Sequence, residues 1–130
     1  MNILHITSHL NVGGVTSYVL SLARAMSRRG HHLIIASGGG QLETRATQDE
    51  LTHWRVPLGT SVEFSPRVVW ASHALAGRLR REPVDLLHAH TRTAQVVAER
   101  LARWQRVPYV TTWHGFFHPN LGRRLWPCTG

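Results

Sequence analysis

Val84-Asp85-Leu86-Leu87-His88-Ala89-His90 and Pro108-Tyr109-Val110-Thr111-Thr112-Trp113 bracket the stretch whose reading decides the fold. Each is a short apolar run bounded by turn residues, the pattern of a strand buried in a parallel sheet. Between them, Thr93 to Arg106 reads as a helix, with Ala94, Val97, Leu101 and Trp104 facing inward at spacings of three and four. Glu99 and Arg103 stand one turn apart on it and can pair. A strand, a helix and a strand in so little chain make a crossover unit, and crossovers join parallel neighbours.

Upstream the alternation continues. Val68, Ala71, Leu75 and Leu79 define a helix over Arg67 to Arg81, which Pro83 stops. Trp54-Arg55-Val56-Pro57-Leu58 reads as a short edge strand, because Pro57 cannot donate to a central ladder. Gln41 to Thr52 is polar, with room for a short helix. His32-Leu33-Ile34-Ile35-Ala36-Ser37 is a buried strand ended by Gly38-Gly39-Gly40. Before it, Val15, Tyr18, Val19, Leu22 and Met26 mark an amphipathic helix that starts at Thr16-Ser17 and is capped by Gly30. Ile3 to Thr7 is the first strand. The order βαβ, a variable stretch, then βαβαβ predicts a Rossmann-like α/β domain: a parallel sheet with right-handed crossovers and helices on both faces.

Composition bounds the chemistry. A chain of 130 residues with 42% hydrophobic residues suits one domain and excludes wholesale disorder. Fifteen basic residues face seven acidic ones, for a net charge of +8, and all fifteen are arginine. Without lysine there is no P-loop lysine, Schiff base or pyridoxal phosphate anchor. Cys128 is the only cysteine, so neither an internal disulfide nor a cysteine-rich zinc site forms. Met1 to Thr7 shows no signal-peptide pattern, and no apolar window reaches membrane-span length. These features predict a soluble, reduced, cytoplasmic protein. Gly115 to Gly130 carries bulky apolar residues without a closing element, so the chain is expected to be cut short.

In such sheets ligands bind outside the carboxyl ends of the strands. Three polar sequences fall there: His9 to Val15, His88-Ala89-His90-Thr91-Arg92, and Trp113-His114-Gly115. Gly13-Gly14 opens the first helix, where unpaired N–H groups and the dipole favour an anion. It is not the dinucleotide fingerprint, since Ser37-Gly38-Gly39 stands where a ribose-binding carboxylate belongs. His88 and His90 share a strand face and with His114 offer three imidazoles. No acidic fourth ligand stands nearby and Asp85 starts its strand at the opposite edge, so neither metal nor cofactor is expected. His88 suits a satisfied core position, His90 a ligand contact, and His31, His53 and His73 the surface. Arg67, Trp70, Ala74, Arg78 and Arg81, with Arg80 beside them, form a helix stripe suited to an anionic membrane surface or to plain solvation. No recognition motif gathers the dispersed arginines, so nucleic acid is not an expected partner.

Together these residues resemble the N-terminal domain of family 4 glycosyltransferases, enzymes of the GT-B architecture. The resemblance rests on Met1-Asn2-Ile3-Leu4-His5-Ile6, Gly13-Gly14-Val15, Arg29-Gly30-His31-His32-Leu33, the Val84 to His90 run and Pro108 to Gly115, which occur in the family's order. It implies two Rossmann-like domains facing across a cleft, the N-terminal one holding mainly the acceptor and the other a nucleoside-diphosphate sugar. Residues 1–130 would then be an incomplete N-terminal domain, with the C-terminal donor-binding domain absent and activity alone not expected. The implied reaction is metal-free hexosyl transfer, with retention of configuration, to a lipid or polysaccharide precursor. By the same resemblance Gly13 and Gly14 lie against the donor diphosphate, His114 is the catalytic contact to the transferred sugar, and His90, Thr91 and Arg92 face the acceptor. Arg78, Arg80 and Arg81 would dock the domain on the inner face of the membrane. The alternatives are a non-catalytic α/β module for an anionic ligand or membrane surface, and another GT-B enzyme such as a sugar-nucleotide epimerase.

Overall fold

A computed structural model describes residues 1–10, 14–42, 51–58 and 66–112. Among these residues five strands form one sheet: β1 (Asn2–Ile6), β2 (His32–Ser37), β3 (Thr52–Arg55), β4 (Leu86–Ala89) and β5 (Tyr109–Thr111). Their order is β3-β2-β1-β4-β5, and every neighbouring pair is parallel. The helices among the described residues are α1 (Gly14–Arg28), α2 (Pro66–Arg81) and α3 (Arg92–Gln105). The chain therefore winds outward from β1 through β2 to β3, then returns to lay β4 on the other side of β1. That reversal makes the β1–β4 boundary the topological switch point, where doubly wound sheets open a crevice at the carboxyl edge.

Strand alternation sends side chains to two separate cores. Leu4, Ile6, Ile34, Ala36, Leu87 and Ala89 pack with Val68, Ala71, Leu75 and Leu79 of α2 and with Ala94, Val97 and Leu101 of α3. Ile3, Leu33 and Ile35 point the other way, onto Val19, Leu20 and Ala23 of α1. Helices thus cover both faces, as the strand-helix alternation predicts. β3 is indeed an edge strand, but it starts at Thr52 and ends before Pro57, which lies outside the ladder.

Two helix faces differ from expectation. The stripe of α1 that meets the sheet is Thr16, Val19, Leu20 and Ala23, whereas Tyr18 is exposed and Val15, Leu22 and Met26 only flank it. The buried face thus mixes Val19 and Leu20 with the smaller Thr16 and Ala23, while Val15 and Met26 pack at its border. On α3, Ala94, Val97 and Leu101 are buried, but Trp104 is 48% exposed and lies against the His73 ring at 5.1 Å. Other local signals hold. Gly30 takes a φ of +90° after α1, and Arg103 binds Glu99 at 2.8 Å. The Gln41 to Thr52 helix falls mostly on residues outside those described.

Candidate functional site at the switch point

The β1–β4 register sets His5 directly beside His88. Parity places both on the α1 face, with Ile3 and Leu86, and His90 two residues on continues the row. The three rings form a cluster: His88 and His90 stack with centroids 4.1 Å apart, and His5 lies 5.1 Å from each. His5 Nδ1 and His90 Nε2 share a hydrogen bond of 2.9 Å, whose donor is set by the tautomers. Tyr18 of α1 meets the His90 ring edge-on at 5.9 Å. On the β5 side, His88 Nε2 and Thr112 Oγ1 lie 2.6 Å apart. Burial, and secondarily the neighbouring His88, pushes the pKa of His5 down to about 3, so its imidazole is neutral at ordinary pH.

A layer of hydroxyls continues the site at the carboxyl edge. Ser8 Oγ sits 2.8 Å from Thr91 Oγ1 and 2.6 Å from Thr93 Oγ1, tying the loop after β1 to the start of α3. Thr91 is the N-cap of that helix: its backbone is extended and its Oγ1 accepts from the Ala94 N–H at 3.2 Å. The loop after β2 supports the loop after β1, because the Gly38 N–H donates to Ser8 O and the Leu10 N–H to Gly39 O. Gly39 reaches that position with a φ of +86°, which favours glycine. Gly14 is different. It starts α1 exposed, and a Cβ there would meet no described atom within 4 Å. The first turn of α1 also lacks an acidic residue, leaving the positive end of its dipole uncompensated within the helix.

The structure brings some of the predicted site residues together and separates others. His90 is buried at 2% exposure whereas His88 is partly exposed, the reverse of the burial that strand position suggested. α1 covers the strand end through Tyr18, while His88 lies toward β5, beyond the helix. Thr91 is half-buried and engaged in capping, and Arg92 is exposed on the first turn of α3. Gly13 and His114 lie outside the described residues. Asp85 is at the amino edge, as expected: its Oδ2 accepts from the Asn2 N–H at 2.7 Å. His5, which in the sequence only breaks an apolar run, is the site residue that motif spacing does not reveal. Its signal is the parity it shares with Ile3, but using that signal needs the knowledge that β1 and β4 are neighbours.

Away from this edge, the α2 arginines divide. Arg78 stacks over Trp54 with 5.2 Å between guanidinium and ring centre, and with Arg81 and Glu82 it lines a shallow cavity of about 330 Å³. Arg80 points to the other flank, toward Pro83, Val84, Gln105 and Val107. Arg67 and Trp70 extend the Arg78–Arg81 side as exposed residues, Trp70 at 71%. His53 is not a plain surface residue, since its Nε2 lies 2.7 Å from Ser37 Oγ at the end of β2. Among the described residues, no helix is long and apolar enough to cross a membrane.

The family model described as Glycosyltransferase Family 4 matches residues 12–129, which is nearly the whole chain. The chain belongs to that family. Solved structures agree on the fold of this glycosyltransferase domain. A glycosyltransferase from Rickettsia africae superimposes with a TM-score of 0.75 at 20% identity, covering 96% of this chain and 32% of that one. MurG of Acinetobacter baumannii gives 0.66 at 13% identity, over 86% and 35%. HepE of Anabaena, crystallised with UDP and glucose, gives 0.62 at 20% identity, over 85% and 29%. The glycosyltransferase domain described here thus spans about a third of the length of these GT-B proteins. No curated protein matches its sequence.

Proposed function

We propose that this chain is the acceptor-side, N-terminal part of an enzyme that moves a hexosyl group from a nucleoside-diphosphate sugar to a glycan or lipid precursor. The observation that carries the reading is the family match over residues 12–129. Three features support it at the level of chemistry. The switch-point crevice is where a doubly wound sheet binds its ligand. The exposed start of α1 at Gly14, where a Cβ would meet no described atom within 4 Å, suits close approach of a diphosphate to backbone N–H groups. The Anabaena neighbour was crystallised with UDP and glucose.

Departure of a diphosphate builds negative charge on the leaving oxygen while the sugar becomes oxocarbenium-like. Helix N–H groups at Gly13 and Gly14 would stabilise that charge without a proton transfer. His114 would hold the transferred sugar near the reacting carbon. His90, Thr91 and Arg92 border the acceptor side, with Arg92 the exposed one of the three. A complete enzyme would hold the nucleotide mainly through a second domain, so residues 1–130 alone would not turn over. The exposed Arg67, Trp70, Arg78 and Arg81 stripe would keep the enzyme at the cytoplasmic membrane face, near a lipid-linked acceptor. The test uses the intact enzyme, following diphosphate release from a panel of nucleotide sugars. His114→Ala is expected to lower kcat about a hundredfold with melting temperature unchanged. Normal turnover, or loss only through unfolding, would show that His114 is structural. The absence of turnover with any nucleotide sugar would overturn the enzyme reading in favour of a binding module.

A further inference from the structure

The histidine cluster, of which His90 alone borders the proposed acceptor side, carries a second chemistry. His5, His88 and His90 each offer a ring nitrogen, and those three nitrogens all lie within 4.8 Å of one another. His5 Nδ1 is engaged with His90 Nε2 at 2.9 Å, so Nε2 is the ligand atom that the His5 ring has left to offer. Imidazole nitrogens on one tetrahedral zinc stand about 3.4 Å apart, given metal–nitrogen bonds near 2.0–2.1 Å. Bringing three nitrogens from that 4.8 Å spread onto one ion is a contraction of about 1.4 Å at most. A second observation is independent of this spacing: His5 Nε2 is buried and has no hydrogen-bond partner. Leaving a buried polar atom in that state is costly, and coordination of an ion would relieve the cost.

We propose that His5, His88 and His90 bind one divalent transition-metal ion at the carboxyl edge of β1 and β4. Three neutral nitrogen donors suit zinc and its neighbours, cobalt, nickel and copper. They do not suit magnesium or calcium, which want oxygen ligands, and Asp85 is committed at the other end of the sheet. The ion would join β1 to β4 across the switch point, a structural clamp at the floor of the crevice and not a participant in sugar transfer.

The test needs no enzymatic activity. The untagged 130-residue chain is stripped with a chelator and titrated with Zn²⁺ by calorimetry, and with Co²⁺ by its visible absorption. One ion should bind per chain, with a dissociation constant on the order of a micromolar or lower, and Co²⁺ should show the intense bands of tetrahedral nitrogen coordination. His88→Gln changes a partly exposed ring and should fold, as circular dichroism would check. It should weaken binding at least about tenfold, and His90→Gln likewise. The double variant His31→Gln/His32→Gln removes the adjacent pair at the start of β2, the opposite edge of the sheet, and should bind like the parent. Absence of one-to-one binding, survival of full affinity in His88→Gln, or loss in the His31/His32 double variant would each overturn the site.

Discussion

His5 shows how one residue ties the fold to pH. Its ring is fully buried beside two other imidazoles, and its pKa is held at about 3 against about 6.5 in an unfolded chain. Between those values the unfolded chain binds a proton that the native state refuses, so stability falls as pH drops from about 6.5 toward 3. Above pH 6.5 the contribution is complete and flat. His5→Leu removes the refused proton, so its stability should vary less with pH over this window. Comparing urea midpoints at pH 7 and pH 4.5, the parent should lose about 2 kcal/mol more than the variant. Equal losses would mean that the His5 ring accepts a proton in the native state. Thr91 gives a second prediction at this scale, because one hydroxyl caps α3 and meets Ser8. Thr91→Ala should cost about 1 kcal/mol in a denaturation curve, and Thr91→Ser should recover most of it. No loss in Thr91→Ala would assign the residue to ligand contact alone.

At the scale of elements, α2 was legible because its apolar residues agree on one face. Val68, Ala71, Leu75 and Leu79 are all buried, as their spacing requires. α1 was less legible, since Val15, Leu22 and Met26 are more apolar than the Thr16 and Ala23 that touch the sheet. Hydropathy alone does not say which of these positions meets the sheet. Strand identity was legible from short apolar runs, whereas strand order was not, because no local pattern says that β4 returns to β1. The Ser8–Thr91–Thr93 and His5–His90 contacts follow from that order and were invisible for the same reason. The arginines of α2 carry their own prediction. Arg78 and Arg81 share a flank with Trp54, and Arg80 faces away. If this helix docks on anionic lipid, each arginine on the docking flank contributes about 1 kcal/mol. Arg78→Ser/Arg81→Ser should then weaken binding to phosphatidylglycerol vesicles about thirtyfold, while Arg80→Ser changes it little. Unchanged sedimentation of the double variant would leave the stripe as a solvated surface.

For the whole molecule, the decisive asymmetry among the described residues is that α2 and α3 cover one sheet face and α1 the other. Among the described residues α1 lies over Ile3, Leu33 and Ile35, on β1 and β2, and reaches β4 at Leu86 and, just beyond it, His90, but contacts nothing on β5. Val110 pairs with His88 and shares its side of the sheet, and it is 45% exposed. β5 is also the outermost described strand, with Tyr109 partly exposed on the opposite face. Exposed apolar residues on an outer strand of this kind associate with copies of the chain or with whatever element normally covers them. The 130-residue chain should therefore elute at an apparent mass that rises with concentration. A lysine at position 110 places a charge at this exposed position without disturbing a buried contact. Val110→Lys should hold the chain monomeric across the same range, with a stability change within about 0.5 kcal/mol. If the parent is monomeric at every concentration, or if Val110→Lys associates as the parent does, the β4–β5 face is not the surface through which this domain meets another.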